Sequence, residues 1–303
     1  MPTPYIPEDR FPIQVSPSVQ VLGNYYFNLM LITGKKKSLL FEAGVSGMVD
    51  QAIRQLDGLG ISPDIIVVSH PHADHVTGLP GLADRFKNAR IIAGPGAKKF
   101  MAHPKAVPAL IAEDRFVSRR LGEEGLTPAR PSLDAPPDVS RIEEVDCPAR
   151  LDLGGGIFFD LLPATGHSPG ALMGIAVPDQ VLCCSDALGF HYPGRDFWPL
   201  FFTGAEEYFD TIKQIRTLAP KIICPAHHGP IMADNVSSAL ETAESRTLEI
   251  IQMIKTTTLD DQELVTKLFN MSYKDEFRLY TKENVTNCAG LLVKRSREFN
   301  APS

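Results

Sequence analysis

Hydrophobic and polar positions along the chain change period several times, and each change marks an expected element. Short apolar runs fill much of residues 13–42, where Asn28 to Thr33 and Ser38 to Phe41 read as strands. Gly34 and Lys35-Lys36-Lys37 lie between them and read as a solvated hairpin turn. Helical spacing takes over at 47–57 and ends at Gly58 and Gly60. Asp64-Ile65-Ile66-Val67-Val68 is a β-branched run of strand length, followed by a helix near 76–87 and a strand at Arg90 to Ala93. Helical character returns in part of 103–127, and Pro128, Pro131, Pro136 and Pro137 mark 128–138 as a linker.

A second half starts near Arg141. Its apolar runs are Ile157 to Leu162, Gln180 to Cys184 and Lys221 to Cys224, with a helix near 205–217 before the last. Three helices, near 233–255, 259–270 and 282–298, are expected to close the chain. The first carries Val236, Leu240, Ala243, Leu248 and Ile251 at near-helical spacing, and the second opens on Thr258-Leu259-Asp260-Asp261, a capping arrangement.

Polar chemistry collects where these apolar runs end. Just past Val68 comes Ser69-His70-Pro71-His72-Ala73-Asp74-His75, three histidines and an aspartate within six residues. In extended chain, residues two apart point to the same side, so His70 and His72 can grip one ion. Asp74 and His75 fall where a helix should begin and are expected to point elsewhere, toward a second ion. Imidazole and carboxylate suit zinc, iron or manganese. The other runs lead into Thr165-Gly166-His167-Ser168, Ser185-Asp186 and Pro225-Ala226-His227-His228-Gly229. Ligands at the carboxyl ends of several strands can converge on one edge of a sheet.

The ordered set His-x-His-x-Asp-His, Gly-His, Asp and Pro-x-His resembles the metallo-β-lactamase superfamily over roughly residues 13–230. That resemblance implies an α/β fold, an αββα sandwich at 1–230, with 231–303 as a helical C-terminal extension on the active-site side. It also implies a dinuclear centre of two divalent metal ions (zinc, or iron or manganese). His70, His72 and His167 would hold one metal, Asp74, His75 and His227 the other, with Asp186 bridging. Two departures stand out. The final histidine usually sits in Pro-Gly-His-Gly; counting from Pro225 selects His227, counting back from Gly229 selects His228, and the strand end favours His227. The residue before the bridging aspartate is commonly glycine but is Ser185 here. A looser likeness runs from Ser185-Asp186-Ala187-Leu188-Gly189 through Trp198-Pro199-Leu200 into the C-terminal helices. It resembles the thioesterase-like response proteins of alkylquinolone signalling, and the metal cluster is similar to that of glyoxalase II enzymes.

Composition narrows the classes further. The 303 residues, 44% hydrophobic, suffice for a large core. No apolar run approaches the roughly eighteen residues a membrane-spanning helix needs, and Met1-Pro2-Thr3-Pro4-Tyr5 lacks the basic and apolar regions of a signal peptide. The five cysteines show no CxxC spacing, which fits reduced thiols and a cytoplasmic location. A net charge of −6 argues against a nucleic-acid partner. The C-terminal helices read equally as covers for sheet edges, a homodimer contact, or a roof over the metals.

After Asp186, the residues Phe190, His191, Tyr192, Phe197, Trp198, Phe201 and Phe202 crowd into a loop broken by Pro193 and Gly194. Phe190, His191 and Trp198 are the expected substrate-binding residues, although the phenylalanines suit core packing as well. Two metals held close together would generate hydroxide near neutral pH, with Asp74 orienting it. The first reading is therefore hydrolysis of an ester or thioester of a small molecule with an apolar or aromatic acyl group. Di-iron oxygen or sulfur chemistry, and a signalling protein with a residual hydrolase site, are the alternatives.

Overall fold

The computed structural model describes residues 5–126, 130–194 and 196–299. Pro128 of the expected linker and residues 1–4 lie outside them. A seven-stranded sheet contains β1 (Ile13–Gln14), β2 (Val19–Gly23), β3 (Asn28–Thr33), β4 (Ser38–Phe41), β5 (Ile65–Val68), β6 (Arg90–Ala93) and β7 (Ile142–Glu144), side by side in that order. The first four pair antiparallel and the rest parallel. Between them run α1 (Val49–Leu59), α2 (Ala73–Val76), α3 (Leu79–Arg85), α4 (Ala97–Met101) and α5 (Ala106–Glu123).

The second half supplies β8 (Ala149–Gly154), β9 (Ile157–Pro163), β10 (Leu172–Val177) and β11 (Val181–Ser185). A two-stranded ribbon follows, β12 (Phe190–Tyr192) and β13 (Asp196–Trp198), then α6 (Ala205–Leu218) and β14 (Ile222–Pro225). The second sheet has the order β14-β11-β10-β9-β8. Three helices, α7 (Ala233–Thr256), α8 (Asp261–Ser272) and α9 (Lys282–Glu298), form the C-terminal extension.

Strand periodicity explains the layering. Met30, Ile32, Leu39, Phe41, Ile65 and Val67 face Phe159, Leu161, Leu172 and Val181 of the other sheet. The alternate residues Leu29, Leu31, Leu40, Ile66 and Val68 pack beneath the helices with Ala52, Leu56, Val76 and Leu82. Both faces of these strands are therefore buried, which is why they read as continuous apolar runs. The Phe41 and Phe159 rings meet across the sheets with centroids 5.8 Å apart. Burying one such side chain stabilises the fold by about 1.5–3 kcal/mol. The result is an αββα sandwich with a helical C-terminal region.

Several expectations need correction. The helix expected near 76–87 is two pieces, because Gly78 presses against the chain at Ala43. A Cβ there would lie 2.1 Å from the Ala43 carbonyl oxygen, and the Gly78 N–H donates to Gly44 at 2.8 Å. Pro80 then starts α3 afresh, since its ring suits a first turn. The supposed loop after Asp186 is the β12–β13 ribbon, whose strands of three residues are too short to show a period. The second C-terminal helix begins two residues later than expected, with Asp260 and Glu263 forming a reciprocal capping box. Lys35 to Lys37 do form an exposed hairpin turn. No helix among the described residues is long and apolar enough to cross a membrane.

Candidate metal centre

Seven side chains from separate strand ends converge in one buried place. His70 and His72 follow β5, Asp74 and His75 occupy α2, His167 follows β9, Asp186 follows β11 and His227 follows β14. Their ligand atoms fall into three overlapping groups: His70, His72 and His167; His70, His75 and Asp186; and Asp74, His75 and His227. The turn into α2 brings Asp74 and His75 to a group with His227, apart from the His70, His72 and His167 group. The two groups are adjacent, with the His70 and His75 rings only 3.9 Å apart.

Hydrogen bonds at the far nitrogen orient four of the five rings. His167 donates from Nδ1 to the Leu200 carbonyl at 2.6 Å, His227 to the Tyr26 carbonyl at 2.7 Å, and His75 to Glu42 Oε2 at 3.0 Å. Ser69 gives its proton to Glu42 at 2.8 Å, so its oxygen accepts from His70 Nδ1 at 3.1 Å. These contacts fix the tautomers and leave the Nε2 lone pairs pointing inward, as second-sphere partners of metal histidines do. His70 Nε2 lies 3.0 Å from His72 Nδ1 and 3.1 Å from His167 Nε2. Asp186 Oδ2 lies 3.4 Å from His75 Nε2 and 3.5 Å from His167 Nε2, while its Oδ1 lies 3.5 Å from His227 Nε2. That carboxylate therefore stands between the two sets of histidines.

Electrostatics divides the histidines. Burial, then crowding by the neighbouring histidines, lowers His70 well below its ordinary value. Burial pushes His72 down to about 3 and lowers His167 as well. For His75 burial acts downward too, but Asp74, Asp186 and Glu42 together outweigh it and raise the group. Asp186 is lowered because His75 and His227 overcome the upward effect of its burial. The side is thus neutral imidazole at one end and carboxylate-rich at the other.

Divalent metal fits this donor set. His75 Nε2, His227 Nε2 and Asp186 Oδ1 are buried without a hydrogen-bond partner, yet His227 Nε2 faces Asp186 Oδ1 and His75 Nε2 faces the other oxygen of that carboxylate. An unsatisfied buried polar group costs about 1–3 kcal/mol, and a cation bound among them removes that cost. Aromatic rings flank the site: Phe202 packs 5.2 Å from His167 and 5.9 Å from His72, and Phe190 packs 5.2 Å from His227.

His227 joins the ligand groups; His228 takes a left-handed backbone (φ 63) and donates Nδ1 to the His191 carbonyl at 2.5 Å. Phe190 and Trp198 are register partners on β12 and β13 and so share one face of the ribbon, the face toward His227. His191 pairs with Phe197 and stacks on it at 4.9 Å on the opposite face. The strand period separates His191 from the ligands. Ser185 holds φ 50, a conformation natural to glycine, and its hydroxyl donates to Ser69 at 3.1 Å. Sequence reasoning missed Glu42, Ser69 and Tyr280. Glu42 lies one residue past β4, so the strand-end rule that selected the ligands would have found it. Tyr280 carries no such signal.

The metallo-beta-lactamase superfamily model matches residues 25–227, and the chain belongs to that superfamily. Its members are typically metal-dependent hydrolases that bind one or two metal ions. The metallo-beta-lactamase fold-containing protein ST1585 of Sulfurisphaera tokodaii is 27% identical over 221 residues, covering 71% of this chain and 78% of that protein. The solved archaeal ST1585 structure superposes with a TM-score of 0.58 at 20% identity, over 91% of this chain and 94% of that one. The sec-alkyl sulfatase PisA1 gives 0.62 at 15% identity over 92% of this chain and 49% of its own. Rubredoxin oxygen:oxidoreductase of Desulfovibrio gigas gives 0.56 at 14%, over 78% and 61%. These structural likenesses carry the fold alone.

Proposed function

We propose that this chain is a dinuclear-metal hydrolase that cleaves an ester or thioester of an apolar or aromatic acyl group. The observation that carries the reading is the pair of adjacent ligand groups whose inward nitrogens are oriented by Leu200, Tyr26, Glu42 and Ser69. Two divalent ions of zinc, iron or manganese held there would lower the pKa of water toward neutrality and polarise an acyl carbonyl. Asp186, between the histidine sets, would serve both ions. Asp74, whose Oδ2 faces His75 and His227, would hold one ion with them and, as its ligand, would also orient the attacking water.

The aromatic walls support the acyl preference. Phe202 lies over the first group and Phe190 over the second, with Phe277 of the extension 4.3 Å from Phe190. An apolar acyl chain gains contact with these rings and is shielded by them from bulk solvent. Thioesters suit the site because a thiolate leaves without prior protonation. The five free cysteines support a reducing, cytoplasmic setting for this activity.

Initial rates across acyl-CoA, acyl-glutathione, aryl ester, lactone and phosphodiester substrates test the reading, with zinc, iron and manganese loaded separately. An Asp186→Ala chain is the control. Preference for a thioester or ester, abolished in the control, supports it. A lactone or phosphodiester preference replaces the bond named here, and no turnover from a chain binding two ions defeats the hydrolase reading in favour of oxygen chemistry or signalling.

A further inference from the structure

We propose that the C-terminal extension is part of the metal centre, with Tyr280 as a positioning residue for the second ligand group. The inference rests on the two-metal part of the reading above. A short helical turn, Asp275–Leu279, delivers Tyr280 from the extension to the site. Its hydroxyl donates to Asp74 Oδ2 at 2.8 Å. That same oxygen lies 3.4 Å from His75 Nε2 and 3.6 Å from His227 Nε2, so it is the oxygen Asp74 presents to its ligand group.

The bond matters because the terminal torsion of an aspartate is soft and roughly two-fold. Left alone, the Asp74 carboxylate could present either oxygen at varied tilt. The phenol occupies one lone-pair direction of Oδ2 and leaves the other for a cation. Carboxylates that bind metals are commonly fixed by such outer partners.

Tyr280 is itself held from two sides. The next residue, Thr281, donates its N–H to Glu113 Oε1 at 2.9 Å and its hydroxyl to Oε2 at 2.5 Å. Thr281 also caps α9 by accepting from the Asn284 N–H at 3.1 Å. On the other side, the Tyr273 hydroxyl donates to the Tyr280 carbonyl at 3.3 Å. Glu113 is a buried carboxylate of α5 (7% exposed), so the extension is anchored to the sandwich beside the residue that reaches Asp74.

The test uses the full chain loaded with zinc and challenged with graded chelator, so that the affinity of each ion is read apart from activity. Tyr280→Phe keeps the ring and removes the hydroxyl. We expect one of the two zinc ions to bind about 10- to 100-fold more weakly, the other to be unchanged, and kcat to fall with KM held. Glu113→Gln and Thr281→Val, which loosen the anchor, should weaken the same ion by less. A Tyr280→Phe chain that holds both ions at wild-type affinity, or loses both equally, overturns the proposal. A wild-type chain that binds two ions and hydrolyses nothing, with the selective loss still present, upholds it while defeating the hydrolase reading. A wild-type chain that binds one ion overturns both.

Discussion

Glu42 offers the sharpest test of how the site is built. It is 1% exposed and holds a left-handed backbone (φ 87), which strains an L residue by about 1–2 kcal/mol. Its Oε2 accepts from Ser69 at 2.8 Å and from His75 at 3.0 Å. One carboxylate oxygen thus orients a ligand of each group: His75 directly and His70 through Ser69. A charge-assisted hydrogen bond contributes about 1.5–3 kcal/mol and a neutral one about 0.5–1.5. In Glu42→Gln the two bonds together therefore weaken by about 2 kcal/mol. Oε1 is already buried with no partner in the wild type, so the amide nitrogen that replaces it adds no new unpaired site.

Glu42→Gly separates strain from function. It relieves the backbone but leaves Ser69 and His75 without their acceptor. Zinc affinity by chelator competition should fall about 10- to 100-fold in both variants, more in the glycine than in the glutamine. Urea unfolding of the zinc-free glutamine variant should show a loss of about 2 kcal/mol, from the two weakened bonds. A Glu42→Gly chain that binds zinc as tightly as wild type would refute the claim that this carboxylate orients the ligands.

Three further outcomes follow from the same geometry. Stripping the metal should lower stability by about 4 kcal/mol if free zinc had stood at a thousand times its dissociation constant; unfolding curves with and without chelator measure this, and coincident curves would count against a metal site. Gly166→Ala should impair both folding and binding at the first ligand group, because a Cβ there would lie 2.3 Å from the Tyr208 nitrogen, at φ 96 and next to His167; overpacking of this kind costs about 1–3 kcal/mol, and a zinc-binding alanine variant of wild-type stability would contradict it. His191, lowered by burial to about 4 from an ordinary 6.5, is neutral in the folded chain, so the unfolded state takes up its proton first as pH falls. Its contribution is zero above about pH 6.5 and destabilising by about 3 kcal/mol below about pH 4; His191→Phe should remove that part of the acid slope, and an unchanged slope between those values would refute it.

How much of this could be read from the chain depended on the length and burial of each element. Strands such as Ile65–Val68 are buried on both faces, so their apolar runs are conspicuous, and the candidate ligands directly past them are legible with them. The Pro-x-His spacing selected His227 over His228, and the structure places only His227 among the ligand groups. The β12–β13 ribbon was not legible, since three residues cannot display a period, and the separation of Phe190 from His191 followed from that period. Leu172–Val177 went unread, although it is the central strand that pairs with both β9 and β11. Tyr280 was beyond reach for another reason. Its partner Asp74 lies 206 residues away, and nothing local to Phe277 or Tyr280 encodes that meeting.

The long-range meetings pass through two adjacent acids of α5. Asp114 is fully buried and accepts four hydrogen bonds: from the Ser46 N–H at 2.9 Å, the Ser46 hydroxyl at 2.6 Å, the Thr77 hydroxyl at 2.6 Å and the Leu133 N–H at 2.8 Å. Thr77 lies two residues beyond His75, so this carboxylate holds the end of the turn that carries Asp74 and His75. Glu113, the residue before, holds Thr281 and with it Tyr280. Helix α2, which carries Asp74 and His75, and the tip of the extension, which carries Tyr280, are therefore both referred to one helix as well as to each other. A buried carboxylate whose acceptors are all used resists displacement, because breaking any one bond exposes a charge in a low-dielectric interior. That is the physical reason a residue from the end of the chain can hold a fixed place beside ligands set by the strands of its beginning.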